Sequence, residues 1–213
     1  MKSRVAVLVS GSGTNLQALI DATKTQDHPA QIALVVADRH KAFGLTRATD
    51  AGIATAVIRK TEHPTREAYD AALVETLRQH DIEWVALAGF MRLVTPVLLD
   101  AFPSRVLNIH PALLPAFPGL HAQDQSFTYG VKIAGATVHL VDSGTDTGPI
   151  IAQGAVPVLP SDDATSLQQR ILKMEHRLYP MALRWATEGR LRVLGRQVSI
   201  QGDPASFFWH QDA

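Results

Sequence analysis

The tetrapeptide Asn108-Ile109-His110-Pro111 closes an apolar run that starts at Val106. In a strand successive side chains alternate, so Asn108 and His110 fall on one side of the chain. An amide N–H and an imidazole N–H directed at one oxygen suit a carbonyl-polarising or oxyanion-stabilising role. The plainer alternative is an Asn that caps a turn beside a satisfied core histidine. Asp146 stands in Gly144-Thr145-Asp146-Thr147-Gly148-Pro149, where flanking glycines let the backbone fold tightly and approach a ligand. A carboxylate near His110 would favour the imidazolium and raise its pKa. The alternative is an Asx-turn in which Asp146 bonds its own backbone. Spacing alone does not bring Asp146 to His110; the fold must do so.

A second constellation lies near the start of the chain. Ser10-Gly11-Ser12-Gly13-Thr14-Asn15 joins an apolar run, Val5–Val9, to a helical pattern. Glycines allow a tight turn, a helix N-terminus offers N–H groups to an anion, and Thr14 and Asn15 add side-chain donors. The loop suits a phosphate. It is neither the dinucleotide fingerprint, because Leu16 occupies the third glycine position, nor a nucleotide P-loop, because no Lys-Ser/Thr pair closes it. A plain strand-to-helix turn is the alternative.

Gly89-Phe90-Met91-Arg92-Leu93 follows the run Trp84–Ala88, where Met91 and Leu93 could line a pocket for a flat ligand or simply pack the loop. Glu175 borders the apolar face of a long helix, placed to accept hydrogen bonds from ribose hydroxyls or to pair at the surface with Arg177 or Lys173. His121 is a further pocket candidate, and His139 reads better as a packed strand histidine. His28, His40, His80 and His210 show no pattern. No His-Glu-x-x-His motif and no cysteine ligand is present, so no metal is expected.

These residues need a scaffold. Short apolar runs (Val5–Val9, Ile32–Ala37, Ile53–Ile58, Trp84–Ala88) alternate with helical patterns (Leu16–Thr23, Phe43–Asp50, Thr65–Gln79). Gly52 suits the end of the second helix, and Thr65 the N-cap of the third. The pattern predicts an α/β fold: a Rossmann-like, mostly parallel sheet with helices on both faces. In the second half, Val106–Ile109, Ala136–Val141 and Ile150–Val158 read as strands around the Pro-rich stretch Pro111–Pro118. A helix follows over Ala164–Thr187, with Pro180 expected to kink it. With no repeat and no linker, residues 1–213 read as a single domain.

Composition excludes several classes. Apolar residues make up 46% of the 213, as in a globular chain. Lys plus Arg and Asp plus Glu number 20 each, so no global field attracts nucleic acid or an acidic membrane. The absence of cysteine excludes disulfides, Fe–S clusters and thiol nucleophiles. No apolar run approaches the ~20 residues of a membrane helix, and Val5–Val9 is too short for a signal peptide core. A cytoplasmic protein without nucleic-acid or membrane partners is expected, as a monomer or homodimer.

Taken together, the loop Ser10–Leu16, Arg66-Glu67-Ala68-Tyr69, Ala88–Leu93, Leu107–Pro115, Asp142–Pro149 and Glu175–Pro180 resemble the phosphoribosylglycinamide formyltransferase family. The Asn-x-His-Pro-x-Leu-Leu-Pro stretch is shared by wider folate-dependent formyltransferases and hydrolases, whereas the opening loop, Ala88–Leu93 and Glu175–Pro180 together are narrower. The resemblance implies a formyltransferase fold. Gly13, Thr14 and Asn15 would hold a substrate phosphate and Glu175 its ribose. Met91, Arg92, Leu93 and Val94 would contact the folate, Arg66 would meet a carboxylate of its tail, and Asn108 would also lie against it. The amine of glycinamide ribonucleotide would attack the formyl carbon of the cosubstrate 10-formyltetrahydrofolate directly. Asn108 and His110 would stabilise the oxyanion, and Asp146 would keep His110 protonated and relay protons. Three rival readings remain. A formyltetrahydrofolate hydrolase usually carries an N-terminal regulatory domain, for which a fold starting at Arg4 leaves no room. A methionyl-tRNA formyltransferase would need a further domain and a basic surface. A non-catalytic phosphate-binding module would leave Asn108, His110 and Asp146 unexplained.

Overall fold

A computed structural model describes residues 1–202 and the backbone of 207–209. The unassigned C-terminal tail and His210 thus lie wholly or largely outside the described residues. By internal packing the chain divides into two compact units, Met1–Asn108 and Ile109 onward.

The first unit is built on parallel strands β1 (Ser3–Val9), β2 (Ala30–Ala37), β3 (Ala54–Val57) and β4 (Trp84–Leu87), with β5 (Val106–His110) pairing to β4 through Asn108. The order is β3-β2-β1-β4-β5, a Rossmann-like arrangement. Central β1 is apolar without alternation because both its faces are covered, and Val5 to Val9 are fully buried. Helix α1 (Thr14–Thr23) buries Leu16, Leu19, Ile20 and Thr23, the stripe its period dictates. Helix α2 spans Phe43–Asp50, as expected, and Gly52 beyond it takes a left-handed conformation. Helix α3 (Arg66–Gln79) starts at the expected cap, Thr65, whose hydroxyl accepts the Ala68 N–H at 3.1 Å. A short helix α4 (Pro96–Ala101), not anticipated, begins with the Pro at its first turn, where the missing N–H costs nothing.

Order reverses between β1 and β4, and loops at the carboxyl ends of such strands flank a crevice. Those two loops are tied together: the Ser10 N–H donates to the Gly89 carbonyl at 3.1 Å, and the Met91 N–H donates to Ser10 Oγ at 3.0 Å.

The second unit departs from parallel order. Strand β6 (Ile133–Leu140) runs antiparallel to β7 (Ile150–Pro157), with a bulge at Val138/His139, and the loop between them carries Asp146. Gly135 and Gly154 make this pairing close: a Cβ on Gly135 would fall 2.0 Å from the Gly154 carbonyl oxygen, and one on Gly154 2.4 Å from the Met174 side chain. Met174 belongs to α6 (Ala164–Thr187), which begins with a capping box between Asp163 and Ser166 and matches the expected span. Helix α5 (Ala122–Tyr129) and the hairpin β8 (Leu191–Leu194) with β9 (Gln197–Ile200) had no sequence forecast. Strand β10 (Phe207–Trp209) lies parallel to β7. No helix among the described residues is long and apolar enough to cross a membrane.

Candidate active site

The expected residues fall into two groups, one in each unit. In the first unit, Gly13 precedes α1 with φ 70°, and a Cβ there would meet the Gly44 Cα at 2.7 Å. Both the conformation and the contact demand glycine. The Gly44 N–H donates to the Gly11 carbonyl at 3.1 Å, locking the loop against α2. No side chain caps α1 and its first turn holds no acid, so backbone donors and a positive dipole end remain available to an anion. Sequence reasoning missed Arg47. Its guanidinium lies over the Phe43 ring at 5.0 Å and donates to the Ser12 carbonyl at 2.9 Å, adding positive charge beside the loop. The i, i+4 spacing of Phe43 and Arg47 on α2 was the available signal.

Farther along this unit, Met91 and Leu93 are 61% and 54% exposed, unusual for large apolar side chains and suited to cover a ligand. Between them Arg92 lies over the Tyr69 ring, and Val94 is half-buried. Arg66 is exposed at the first position of α3, an unfavourable place for a cation at a helix N-terminus. Asn108 is the last residue of this unit, opposite Leu87 in the β4–β5 pairing.

In the second unit, Asp146 reaches His110. Its Oδ2 lies 3.2 Å from His110 Nδ1 and accepts the Gly119 N–H at 2.7 Å, while its Oδ1 lies 3.6 Å from His139 Nε2. Asp142 bonds its own loop, accepting the Gly144 N–H and the Thr147 hydroxyl, whereas Asp146 Oδ2 bonds outside it. Asp146 itself has φ 54°, a left-handed conformation that Asp tolerates better than most residues. His139 is a packed strand histidine, as expected, and its Nε2 also approaches Asp146. The bulge at Val138/His139 shifts the alternation there, which a period-2 reading does not detect. His121 is exposed and faces Asp124 at 3.7 Å. Glu175 is buried in α6 rather than paired at the surface, whereas Lys173 and Arg177 are exposed.

The Pro-rich loop after His110 is held by a satisfied polar network. Thr137 Oγ1 donates to the Ala112 carbonyl at 2.7 Å and accepts the Leu114 N–H at 3.0 Å, and Gln153 Nε2 donates to the Leu114 carbonyl at 2.8 Å. The Leu114–Pro115 bond is cis.

Both nitrogens of His110 face acceptors: Nδ1 the Asp146 carboxylate and Nε2 the Phe117 carbonyl, at 2.8 Å. Only the imidazolium satisfies both. Burial opposes it and wins: desolvation lowers the His110 pKa below the usual histidine range, against the upward pull of the Phe117 carbonyl and Asp146. The expected upward pull of Asp146 on His110 is present, but burial outweighs it. Burial also pushes the Asp146 carboxyl up, but His139, the Gly119 N–H and His110 together bring it below the usual range.

A pH dependence of stability follows. Because the folded pKa of His110 is lowered, the unfolded chain binds that proton more readily. The resulting cost is complete below the folded value and vanishes above the unfolded value of about 6.5. Stability from denaturant titration should therefore fall as pH drops through this window, and the fall should be smaller in His110→Gln. Equal slopes in the two proteins would refute the assignment.

The class of protein, a transferase of α/β fold, is given by comparison with known proteins. A family model for formyl transferase matches residues 3–183. The phosphoribosylglycinamide formyltransferase of Mycobacterium tuberculosis (strain ATCC 25618 / H37Rv) is 45% identical over 204 residues, covering 93% of this chain and 94% of its own. The crystal structure of glycinamide ribonucleotide transformylase 1 from Symbiobacterium toebii superposes with a TM-score of 0.92 at 52% identity, covering 93% of this chain and 94% of that one. The trifunctional purine biosynthetic protein adenosine-3 of Drosophila melanogaster is 48% identical over 202 residues, but this chain spans only 15% of its length. The chain belongs to the phosphoribosylglycinamide formyltransferase family of enzymes.

Among the described residues, no group of three or more His, Cys, Asp or Glu is arranged to hold a metal ion.

Proposed function

We propose that residues 1–213 act as one catalytic domain in de novo purine biosynthesis. The reaction moves the formyl group of 10-formyltetrahydrofolate to the amine of 5-phosphoribosylglycinamide. The products are 5-phosphoribosyl-N-formylglycinamide and tetrahydrofolate. The observation that carries the proposal is the buried contact of His110 with Asp146, made by two residues the resemblance assigns to catalysis.

In this reading Gly13, Thr14 and Asn15 hold the phosphate, with Arg47 adding charge, and Glu175 holds the ribose. Met91, Arg92, Leu93, Val94 and Asn108 contact the folate. The amine nitrogen attacks the formyl carbon, and the carbonyl electron pair moves to oxygen. Asn108 donates to that oxygen without titrating, and His110 offers it the Nε2 proton that Phe117 otherwise accepts. Asp146 favours the charged form of His110 and, as a carboxylate, takes up the proton the amine loses. The carbonyl re-forms as the C–N10 bond breaks, and the proton taken from the amine is passed on to N10, which returns Asp146 to its carboxylate form.

The test is consumption of 10-formyltetrahydrofolate with and without glycinamide ribonucleotide. The proposal expects turnover that depends on the nucleotide. Equal consumption without it would indicate a hydrolase, and none in either case would indicate a binding module.

Arg66 carries a separate expectation. If it meets the folate tail while partly exposed to solvent, Arg66→Ala should raise the Michaelis constant for the folate several-fold and leave turnover at saturation nearly unchanged. Equal Michaelis constants in the two proteins would remove Arg66 from the site.

A further inference from the structure

We infer that Tyr69 and Asp70 are positioning residues that hold the 91–95 segment in shape for folate before the folate arrives. The inference rests on the folate reading of Met91–Val94 proposed above. Two consecutive residues in the first turns of α3 grip this segment at separate points. The Arg92 guanidinium carbon lies 3.9 Å from the centre of the Tyr69 ring, a cation–π contact. Asp70 Oδ2 accepts the Thr95 N–H at 2.6 Å, a short charge-assisted bond. Tyr69, Asp70 and Thr95 are all buried.

A carboxylate is not buried against one backbone N–H without consequence. Desolvation raises the Asp70 pKa against the pull of Thr95 and Arg92, so the arrangement opposes the group's own charge. Tyr69 is similar: its hydroxyl is buried with no hydrogen-bond partner among the described residues. The ring, braced edge-on by His63 at 5.6 Å, is therefore the part that acts. With the Met91 N–H held by Ser10, the segment is fixed at Met91, Arg92 and Thr95, while the side chains of Met91 and Leu93 stay exposed. Fixing a loop beforehand removes ordering cost from ligand binding. The same helix end also presents Arg66, so α3 would supply both the shape of the folate segment and a charge for the folate tail.

The experiment measures steady-state constants for both substrates, and affinity for tetrahydrofolate by titration calorimetry, in variants whose folding is checked by melting. Asp70→Ala and Tyr69→Leu should raise the Michaelis constant for the folate about tenfold, with that for glycinamide ribonucleotide within about twofold of the parent. Asp70→Asn, which keeps an acceptor, and Tyr69→Phe, which keeps the ring, should recover most of the loss. Unchanged folate constants in folded Asp70→Ala and Tyr69→Leu, or equal losses for both substrates, would overturn the inference. Met91→Ala tests the underlying reading separately: if it leaves tetrahydrofolate affinity unchanged, the segment is not a folate site. Amide hydrogen exchange on the parent needs no variant. Slow exchange at Thr95 without ligand is expected, and exchange as fast as in an open loop would also overturn it.

Discussion

His110→Ala and Asp146→Asn should each lower the turnover number by about a hundredfold or more, the usual effect of losing an oxyanion donor or its support. Both proteins should remain folded. Asn tolerates the left-handed backbone at position 146, and its side-chain oxygen still accepts the Gly119 N–H. What Asp146→Asn removes is the charge that pulls His110 toward its protonated form. With burial already lowering the His110 pKa, the neutral ring then dominates further. Because the two residues act as one unit, the double variant should lose much less than the product of the single losses. Affinity for glycinamide ribonucleotide should change little, since its phosphate is assigned to the Gly13–Asn15 loop. Steady-state kinetics of the three variants checks this. Near-parental turnover in either folded single variant, or fully multiplicative losses, would contradict the assignment.

Gly148→Ala should be the most damaging small change to the fold. A Cβ at Gly148 would lie 1.7 Å from the Leu140 carbonyl oxygen, so backbone must move. The movement would disturb the end of β6, where the Leu140 N–H donates to the Pro149 carbonyl, and the loop that sets Asp146. Overpacking against side chains typically costs about 1–3 kcal/mol, and a clash with backbone falls at or above that upper limit. For a chain of this size the melting midpoint should fall by about 6–12 °C. Gly189→Ala is the control. Unlike Gly148 it has a positive φ, 70°, but nothing lies within 4 Å of its added Cβ, so it should cost about 1–2 kcal/mol from backbone strain alone. Comparable melting of the two variants would show that the loop has slack at Gly148.

Much of this scaffold was legible in the residues because its rules are local. Val5–Val9 lacks alternation, as a strand covered on both faces must, and Thr65 and Gly52 punctuate helices by chemistry that neighbouring residues decide. Helix α6 was readable end to end because its apolar stripe persists over several turns. Other features depend on partners distant in sequence. The antiparallel β6–β7 pairing leaves no local mark beyond Gly135 and Gly154, whose need for close approach appears only once the strands face each other. Helix α5 has a weak apolar stripe, burying only Ala122 and Ser126, so no periodicity announces it.

The site was legible in the same uneven way. Asn108, His110 and Asp146 were identifiable by type and setting, but the contact of His110 with Asp146 was not, because the loop closing it starts at the end of a different strand. His139 was legible as a packed strand histidine, whereas its approach to Asp146 was not, because a bulge interrupts the strand at that point. The net direction of the His110 shift was not legible for a physical reason: sequence reveals the carboxylate partner, whose upward pull is present, but not the depth of burial that outweighs it. Arg47, Tyr69 and Asp70 act through contacts with loops from other elements, which helical spacing alone does not disclose.

The most direct test follows the formyl group itself. The protein is incubated with glycinamide ribonucleotide and 10-formyltetrahydrofolate carrying carbon-13 in the formyl group, and the label is located by nuclear magnetic resonance. The account predicts that the label leaving the folate appears in the N-formyl amide of the ribonucleotide, in step with tetrahydrofolate, with little free formate. Label released mainly as formate while the ribonucleotide amine stays unmodified would contradict it.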